Sequence, residues 1–249
     1  MMTLQVAVAK VAKHAGSESG DTLEMIERPG GGFSFVLVDA EGSGRGAKSL
    51  SNMVATRALT LLKDGTRDGA TARAVHDYLY TYRMGQVSAN FNILSIDFVS
   101  NSILISRNNP TPFYMINRDG LHIYDEESTP IGLYAMTKPQ ITELMVEPYT
   151  YIVLFTDGLL HAGERYGEDM ELGNYFAGLH PTAARSAQDI TNDILRRAME
   201  LERGDPSDDI SILTVAALPE SNHDAVRRLN VSFPMDTSHK GSSIWAEAE

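Results

Sequence analysis

The stretch Phe33-Ser34-Phe35-Val36-Leu37-Val38-Asp39-Ala40-Glu41-Gly42-Ser43-Gly44 sets the frame for the rest of the chain. Its opening run, FSFVLV, is apolar, aromatic and β-branched, the composition of a short strand. That strand ends at Asp39 and runs into a glycine-rich turn. A carboxylate at the end of a buried strand is rigidly supported, which is how a hard cation needs its oxygen ligands held. The glycines let the backbone bend tightly and bring a carbonyl toward the same point. Alone, the stretch reads more readily as a surface turn with a helix cap.

Working outward, residues 47–63 place Leu50, Met53, Val54, Ala58, Leu61 and Leu62 at helical spacing, and a second helix is expected over 70–83. On the N-terminal side, 4–13 and 22–28 read as strands, separated by the small polar loop HAGSESGD and closed by the turn Pro29-Gly30-Gly31-Gly32. After the helices come expected strands at 92–98, 102–107, 113–116, 121–124, 140–146 and 151–155. The short pieces between them, such as Asn117-Arg118-Asp119-Gly120, call for antiparallel hairpins rather than helical crossovers. A mixed or helical stretch over 172–201 precedes a last strand at 210–216. Strands, two helices, hairpin strands, a helix and a strand predict an α+β plan of two antiparallel sheets covered by helices. There is no internal repeat. The domain is expected over 1–218, with a polar tail over 219–249 in which Leu229, Val231, Phe233 and Trp245 are the scattered apolar residues, docked or disordered.

The pattern at Asp39 recurs. Tyr151-Ile152-Val153-Leu154-Phe155 runs into Thr156-Asp157-Gly158, where a cap on a short helix is the plainer reading. Asp208-Asp209 stands before the apolar run ISILTV, and adjacent carboxylates beside a hydrophobic strand are costly unless paired or bound to metal. Asp21 closes the HAGSESGD loop. Each has an ordinary explanation as a turn, cap or loop acid. Together, three apolar strands carry acids at a terminus, and strands central in facing sheets would bring them to one end of the sandwich. Such a cluster repels itself unless cations neutralise it. His14 and His161 lie near these segments and are expected near the site or at the surface rather than as ligands. Glu41 either bonds a site water or faces solvent.

Composition narrows the classes. With 21 Lys and Arg against 33 Asp and Glu, the formal charge of −12 argues against nucleic acid and anionic membranes as partners. The chain has no cysteine, which excludes disulfides, thiolate metal sites and cysteine nucleophiles. No apolar run reaches the length of a signal peptide or membrane span, so a cytoplasmic location is expected. The histidines form no HExxH pattern.

At these positions the sequence resembles the PP2C-type metal-dependent phosphatases, in the bacterial branch of sporulation and stress-response serine phosphatases. Gly20-Asp21 matches the family's Gly-Asp, and Asp39-Ala40-Glu41-Gly42-Ser43-Gly44 its Asp-x-x-Gly-x-Gly. Asn108-Asn109-Pro110-Thr111-Pro112 is similar to its Gly-His-Pro-x-Pro, with Asn-Asn in place of Gly-His, and Pro130-Ile131-Gly132 to its Pro-Leu-Gly. Thr156-Asp157-Gly158 matches Thr-Asp-Gly, and Asp208-Asp209-Ile210-Ser211 matches Asp-Asp-x-Thr with the hydroxyl kept. The resemblance spans about residues 4–218 and implies an αββα sandwich. It also implies a serine/threonine protein phosphatase with two divalent cations, Mn²⁺ or Mg²⁺. Asp39 would bridge them, Asp21 and the Ala40 carbonyl would hold one, and Asp157 and Asp208 the other, with the share between Asp208 and Asp209 open. The implied substrate is a small regulatory phosphoprotein, such as an anti-sigma antagonist or a related scaffold protein. A two-metal phosphoesterase acting on a small molecule and an inactive phosphoprotein-binding module are the alternatives.

Overall fold

In the computed structural model, residues 2–13, 18–219 and 226–232 are described. The chain begins with β1 (Met2–Val11), β2 (Thr22–Glu27) and β3 (Phe33–Ala40), followed by α1 (Gly44–Lys63) and α2 (Asp68–Arg83). Six strands come next: β4 (Ala89–Asp97), β5 (Ser102–Asn108), β6 (Phe113–Asn117), β7 (Gly120–Tyr124), β8 (Gln140–Met145) and β9 (Thr150–Phe155). Then follow α3 (Asp157–Leu160), α4 (Leu172–Ala177), α5 (Ala187–Leu201) and β10 (Ile210–Pro219). The strands form two five-stranded sheets, β1-β10-β9-β6-β7 and β2-β3-β4-β5-β8. Every pairing between strands is antiparallel.

Three apolar layers hold this αββα sandwich together. Phe35, Leu94, Ile105, Ile152, Leu154 and Leu213 pack between the sheets. Val36, Val38 and Phe91 face the other way, onto Leu50, Val54 and Ala58 of α1 and Val75 and Leu79 of α2. Val153, Phe155 and Ile212 meet Phe176 of α4 and Ile190 and Ile194 of α5. Both faces of the central strands are therefore covered, which is why FSFVLV and YIVLF read as continuous apolar runs instead of alternating. The buried polar pair in the α5 layer is satisfied internally, Thr191 Oγ1 donating to Thr214 Oγ1 over 2.7 Å.

Several boundaries differ from the sequence expectation by one to three residues, and those at β3 and α1 bear directly on the site. The β3–β4 ladder continues through Asp39↔Asn90 and Ala40↔Ala89, so Asp39 lies inside β3 and not just past it. Helix α1 starts at Gly44, three residues earlier than expected, because glycines that argue against a helix in isolation are tolerated in a first turn packed on a sheet. The tail residues 226–232 have no helix or strand, and Leu229 and Val231 are exposed. Arg227 Nη1 lies 2.8 Å from Glu27 Oε1, with its guanidinium near the rings of Phe33 and Phe98. Phe233, Trp245 and His14 lie outside the described residues.

Candidate active site

Periodicity in β3 decides where Asp39 points. Val36, Val38 and Ala40 face the helices, so Asp39 shares the inner face with Phe35, at the open end of the space between the sheets. Its cross-strand partner Asn90 donates Nδ2 to Asp39 Oδ2 over 3.0 Å. Thr22 pairs with Val38, so one further step of the same register sets Asp21 beside Asp39. Asp157 arrives from the other sheet, as the first residue of α3 immediately after β9. A short helix does follow the strand, but Thr156 makes no side-chain capping bond to it, its hydroxyl being bonded to Asp21 and to the main chain of Asp209 and Ser211.

Asp39, Ala40, Glu41 and Gly42 line one wall of a cleft of about 230 Å³, Ser88, Ala89 and Asn90 a second, and Asp157, Asp208 and Asp209 a third. Asp21 is buried, only 2% exposed, and is not among the residues that line this cleft. Its Oδ2 accepts from Thr156 Oγ1 at 3.0 Å and from Ser211 Oγ at 2.6 Å. Its backbone carbonyl accepts from Lys48 Nζ at 2.7 Å and from Lys10 Nζ.

The two adjacent aspartates have different environments. Asp209 is buried, and both its oxygens are taken by main-chain donors, Oδ1 by Lys13 N at 2.9 Å and Oδ2 by Gly20 N at 2.7 Å. It fastens the loop before Asp21 to the start of β10. Asp208 has a side chain 56% exposed, accepts from the Asp209 N–H at 2.9 Å and lies 3.7 Å from Lys13 Nζ. Gly158 explains how α3 comes so near: a Cβ there would stand 2.2 Å from the Asp209 carbonyl oxygen.

Burial raises the carboxyl pKa of Asp21 to about 7, although the Ser211 and Thr156 hydroxyls act against the shift. Burial, then the neighbouring Asp21 and Asp157, push Asp39 up to about 7. Asp157 is raised by burial and by Asp208. These acids are held together against their own repulsion, as in a site that accepts positive charge. Among the described residues no three His, Asp or Glu side chains are drawn together tightly enough to enclose a cation as they stand. The carboxylates that line the cleft still fit one: they offer oxygen, they face a single opening, and among the described residues no lining residue is basic.

Three further residues shape the site, and two of them, Asn90 and Glu202, carry no signal in the sequence. Asn90 is recognisable only once the β3–β4 register is known. Glu41, ambiguous in the sequence, accepts from Ser88 N at 2.9 Å and Ser88 Oγ at 3.0 Å and so ties two cleft walls together. Glu202, 1% exposed at the end of α5, accepts from Gly163 N at 2.9 Å, Ser207 Oγ at 3.0 Å and Ser207 N at 3.1 Å. Arg165 Nε adds an ion pair at 3.2 Å. Glu202 thereby clamps the loop after α3 to the loop that carries Asp208. His161 is on the surface, its Nδ1 2.7 Å from Glu164 Oε1.

A five-on-five antiparallel sandwich with helices outside and an acidic cleft at one end is the PP2C-type phosphatase fold. The solved PP2C phosphatase domain of SpoIIE from Bacillus subtilis, with a fragment of its regulatory domain, superposes with a TM-score of 0.74 at 18% identity, covering 86% of this chain and 63% of that one. RsbX in complex with magnesium gives 0.66 at 15% identity, over 87% of this chain and 100% of that one. The family profile of stage II sporulation protein E (SpoIIE) matches residues 29–217, and the chain belongs to that family. The matched span includes Asp39, Asp157, Asp208 and Asp209 and begins after Asp21. Stage II sporulation protein E of Priestia megaterium is 19% identical over 169 residues, 68% of this chain but 29% of that protein. The chain thus spans under a third of the length of that relative.

Proposed function

We propose that the chain is a metal-dependent protein phosphatase that hydrolyses phosphoserine or phosphothreonine. One observation carries this: Asp39 from one sheet, and Asp157 and Asp208 from the two ends where β9 and β10 of the other sheet meet the cleft, face a single opening lined by oxygen donors. Asp39 would sit between two divalent cations, Mn²⁺ or Mg²⁺, with Asp21 and the Ala40 carbonyl on one side and Asp157 and Asp208 on the other. Asp208 suits this role better than Asp209, whose oxygens already accept from main-chain N–H groups. Bound ions of this kind lower the pKa of a water molecule and neutralise charge on phosphoryl oxygens. Magnesium in the similar RsbX supports the same donor chemistry.

The chain's own residues prepare the site. Asn90 fixes the orientation of Asp39. The Thr156 and Ser211 hydroxyls hold Asp21 against the penalty of burying its charge. Hydrolysis joins a water oxygen to phosphorus, breaks the bond from phosphorus to the serine or threonine oxygen, and returns a proton to that oxygen. The unit performing it is proposed as residues 1–218, with 219–249 a tail. The substrate is proposed as a small regulatory phosphoprotein, an anti-sigma antagonist or a related scaffold protein, and the location as cytoplasmic. Among the described residues no helix is long and apolar enough to cross a membrane.

The test is phosphate release from a phosphoserine peptide with and without Mn²⁺, beside Asp39→Asn. Metal-dependent release that the variant lacks is the expected result, and equal turnover by the variant at saturating metal overturns the proposal. The Lys13–Asp208 ion pair favours one second reading, a phosphoprotein-binding module, which would bind the peptide without metal-dependent turnover.

A further inference from the structure

The cleft contains little to recognise a substrate with. Among the described residues no lining side chain is basic, and the only apolar ones are Ala40 and Ala89. A phosphate can be held there through cations, but nothing in the cleft grips the chain that carries it. Selectivity between phosphoesters must come from the rim.

An exposed apolar segment leaves the cleft wall on one side. Ala89, in the cleft wall, is bridged to Ile131 by two main-chain bonds, Ala89 N to Ile131 O at 3.0 Å and Ile131 N to Ala89 O at 2.9 Å. The chain leaving that bridge presents Leu133, Tyr134 and Met136, which are 40%, 60% and 86% exposed. It runs against the end of α2, where a Cβ on Gly85 would come within 3.3 Å of the Leu133 carbonyl oxygen, and the residue before Gly85, Met84, is 76% exposed. Four large apolar side chains in water at one place mark an interaction surface more often than chance.

Met84 strengthens the case. It caps α2 with φ +51, a left-handed conformation that glycine or asparagine adopts more readily. Neither local backbone preference nor burial accounts for methionine there. Its flexible, polarizable side chain suits contact with another molecule. The backbone beneath the patch is pinned, Gly132 N donating to His76 Nδ1 at 3.1 Å and Thr137 Oγ1 to Tyr134 O at 3.3 Å. The surface is thus formed before any partner arrives.

We infer that Met84, Leu133, Tyr134 and Met136 form the docking surface for apolar residues flanking the phosphorylated serine or threonine of a protein substrate. This rests on the phosphatase reading of the cleft and narrows it to phosphoproteins, against small-molecule phosphates. Leu133 to Met136 lie two to five residues beyond the bridge at the cleft wall. That is at most roughly 7–17 Å at about 3.3 Å per residue, the reach of positions two to five away from the phosphoresidue in an extended segment.

The experiment compares two phosphoserine peptides, one with leucine and phenylalanine at those flanking positions and one with glycine and serine. Both kcat/KM and direct binding by fluorescence anisotropy are measured. The protein is expected to prefer the apolar peptide by roughly tenfold. Tyr134→Ser with Met136→Ser should bring the ratio close to one. Met84→Gly relieves the left-handed backbone, so it should fold at least as stably while losing part of the preference. Loss of selectivity without loss of stability separates docking from structural damage. No preference in the parent chain, or a full preference kept in both variants, overturns the inference. If neither peptide is hydrolysed, the phosphatase reading fails by itself. Anisotropy then decides the surface: apolar-selective binding that the variants lose upholds it, and equal binding of both peptides overturns it.

Discussion

The Ser211 hydroxyl donates to Oδ2 of Asp21 over 2.6 Å, from the start of β10 in one sheet to the residue just before β2 of the other. Thr156 adds a second donor to the same oxygen. These bonds join the sheets at the cleft end and offset part of the cost of a buried carboxylate. Ser211→Ala should destabilise the protein by about 1–3 kcal/mol, since it leaves a buried acceptor short of a donor. It should also weaken metal binding, because Asp21 becomes harder to ionise. Ser211→Thr retains the hydroxyl and should retain binding. Calorimetric titration with Mn²⁺, beside urea unfolding, distinguishes the two variants.

Asp39→Asn should separate stability from activity. The carboxyl of Asp39 is raised to about 7 by burial and by neighbouring acids, so at pH 8 its charge is a liability in the metal-free fold. The amide is nearly the same shape and carries no charge. In EDTA at pH 8 the variant should therefore unfold later in urea than the parent, by on the order of 1 kcal/mol. Metal-dependent hydrolysis should be absent. A variant that unfolds earlier would show that Asp39 is a structural anchor.

The layers of this fold were legible because apolar runs and helical periodicity report burial directly. FSFVLV, YIVLF and ISILTV are three of the interior strands of the two sheets, and the hairpins follow from short turns. Asp39, Asp157 and the pair Asp208-Asp209 stand out for a related reason, since each borders such a run, whereas Asp21 closes a polar loop. What the sequence leaves out depends on register. Asn90 faces Asp39 only because β3 pairs with β4 as it does. Glu202, at the end of an amphipathic helix, looks like any surface glutamate until the loops from Gly163 and Ser207 fold over it. The different environments of Asp208 and Asp209 likewise come from which main-chain N–H groups the loop before Asp21 presents.

Stability should depend on pH in the metal-free protein with a definite sign. Asp21 and Asp39 keep their protons in the fold up to about 7, whereas an unfolded aspartate releases its proton near the ordinary value of 3.8. Between those limits the native state binds more protons, so stability falls as pH rises from about 4 to about 7 and levels off above. Other groups act in the same range, so the informative quantity is the difference between parent and Asp39→Asn, which should shrink toward pH 5. Metal binding should reverse the trend and release protons at pH 7. Calorimetric titrations in buffers of different ionisation enthalpy measure that release, and none at all would refute carboxylate ligation.

Glu202 should control metal affinity from beneath the cleft. Its carboxylate accepts from Gly163 N, Ser207 N and Ser207 Oγ and pairs with Arg165, linking the loop after Asp157 to the residue just before Asp208. Glu202→Gln replaces one acceptor oxygen with a donor, which then confronts N–H groups it cannot satisfy. The loop carrying Asp208 should shift, and because groups supporting metal ligands typically govern 10–100-fold in affinity, half-saturation in Mn²⁺ should rise about tenfold. Glu202→Ala leaves those donors and Arg165 without a buried partner and should also cost about 2–4 kcal/mol of stability. The informative outcome is the glutamine variant at saturating metal. If Glu202 acts only by placing Asp208, excess Mn²⁺ should restore most of kcat while KM for a phosphopeptide stays unchanged. If kcat stays low however much metal is added, Glu202 is needed for more than the position of one ligand. An unchanged metal titration would mean that Asp208 is held by Lys13 and its own loop, independently of the clamp.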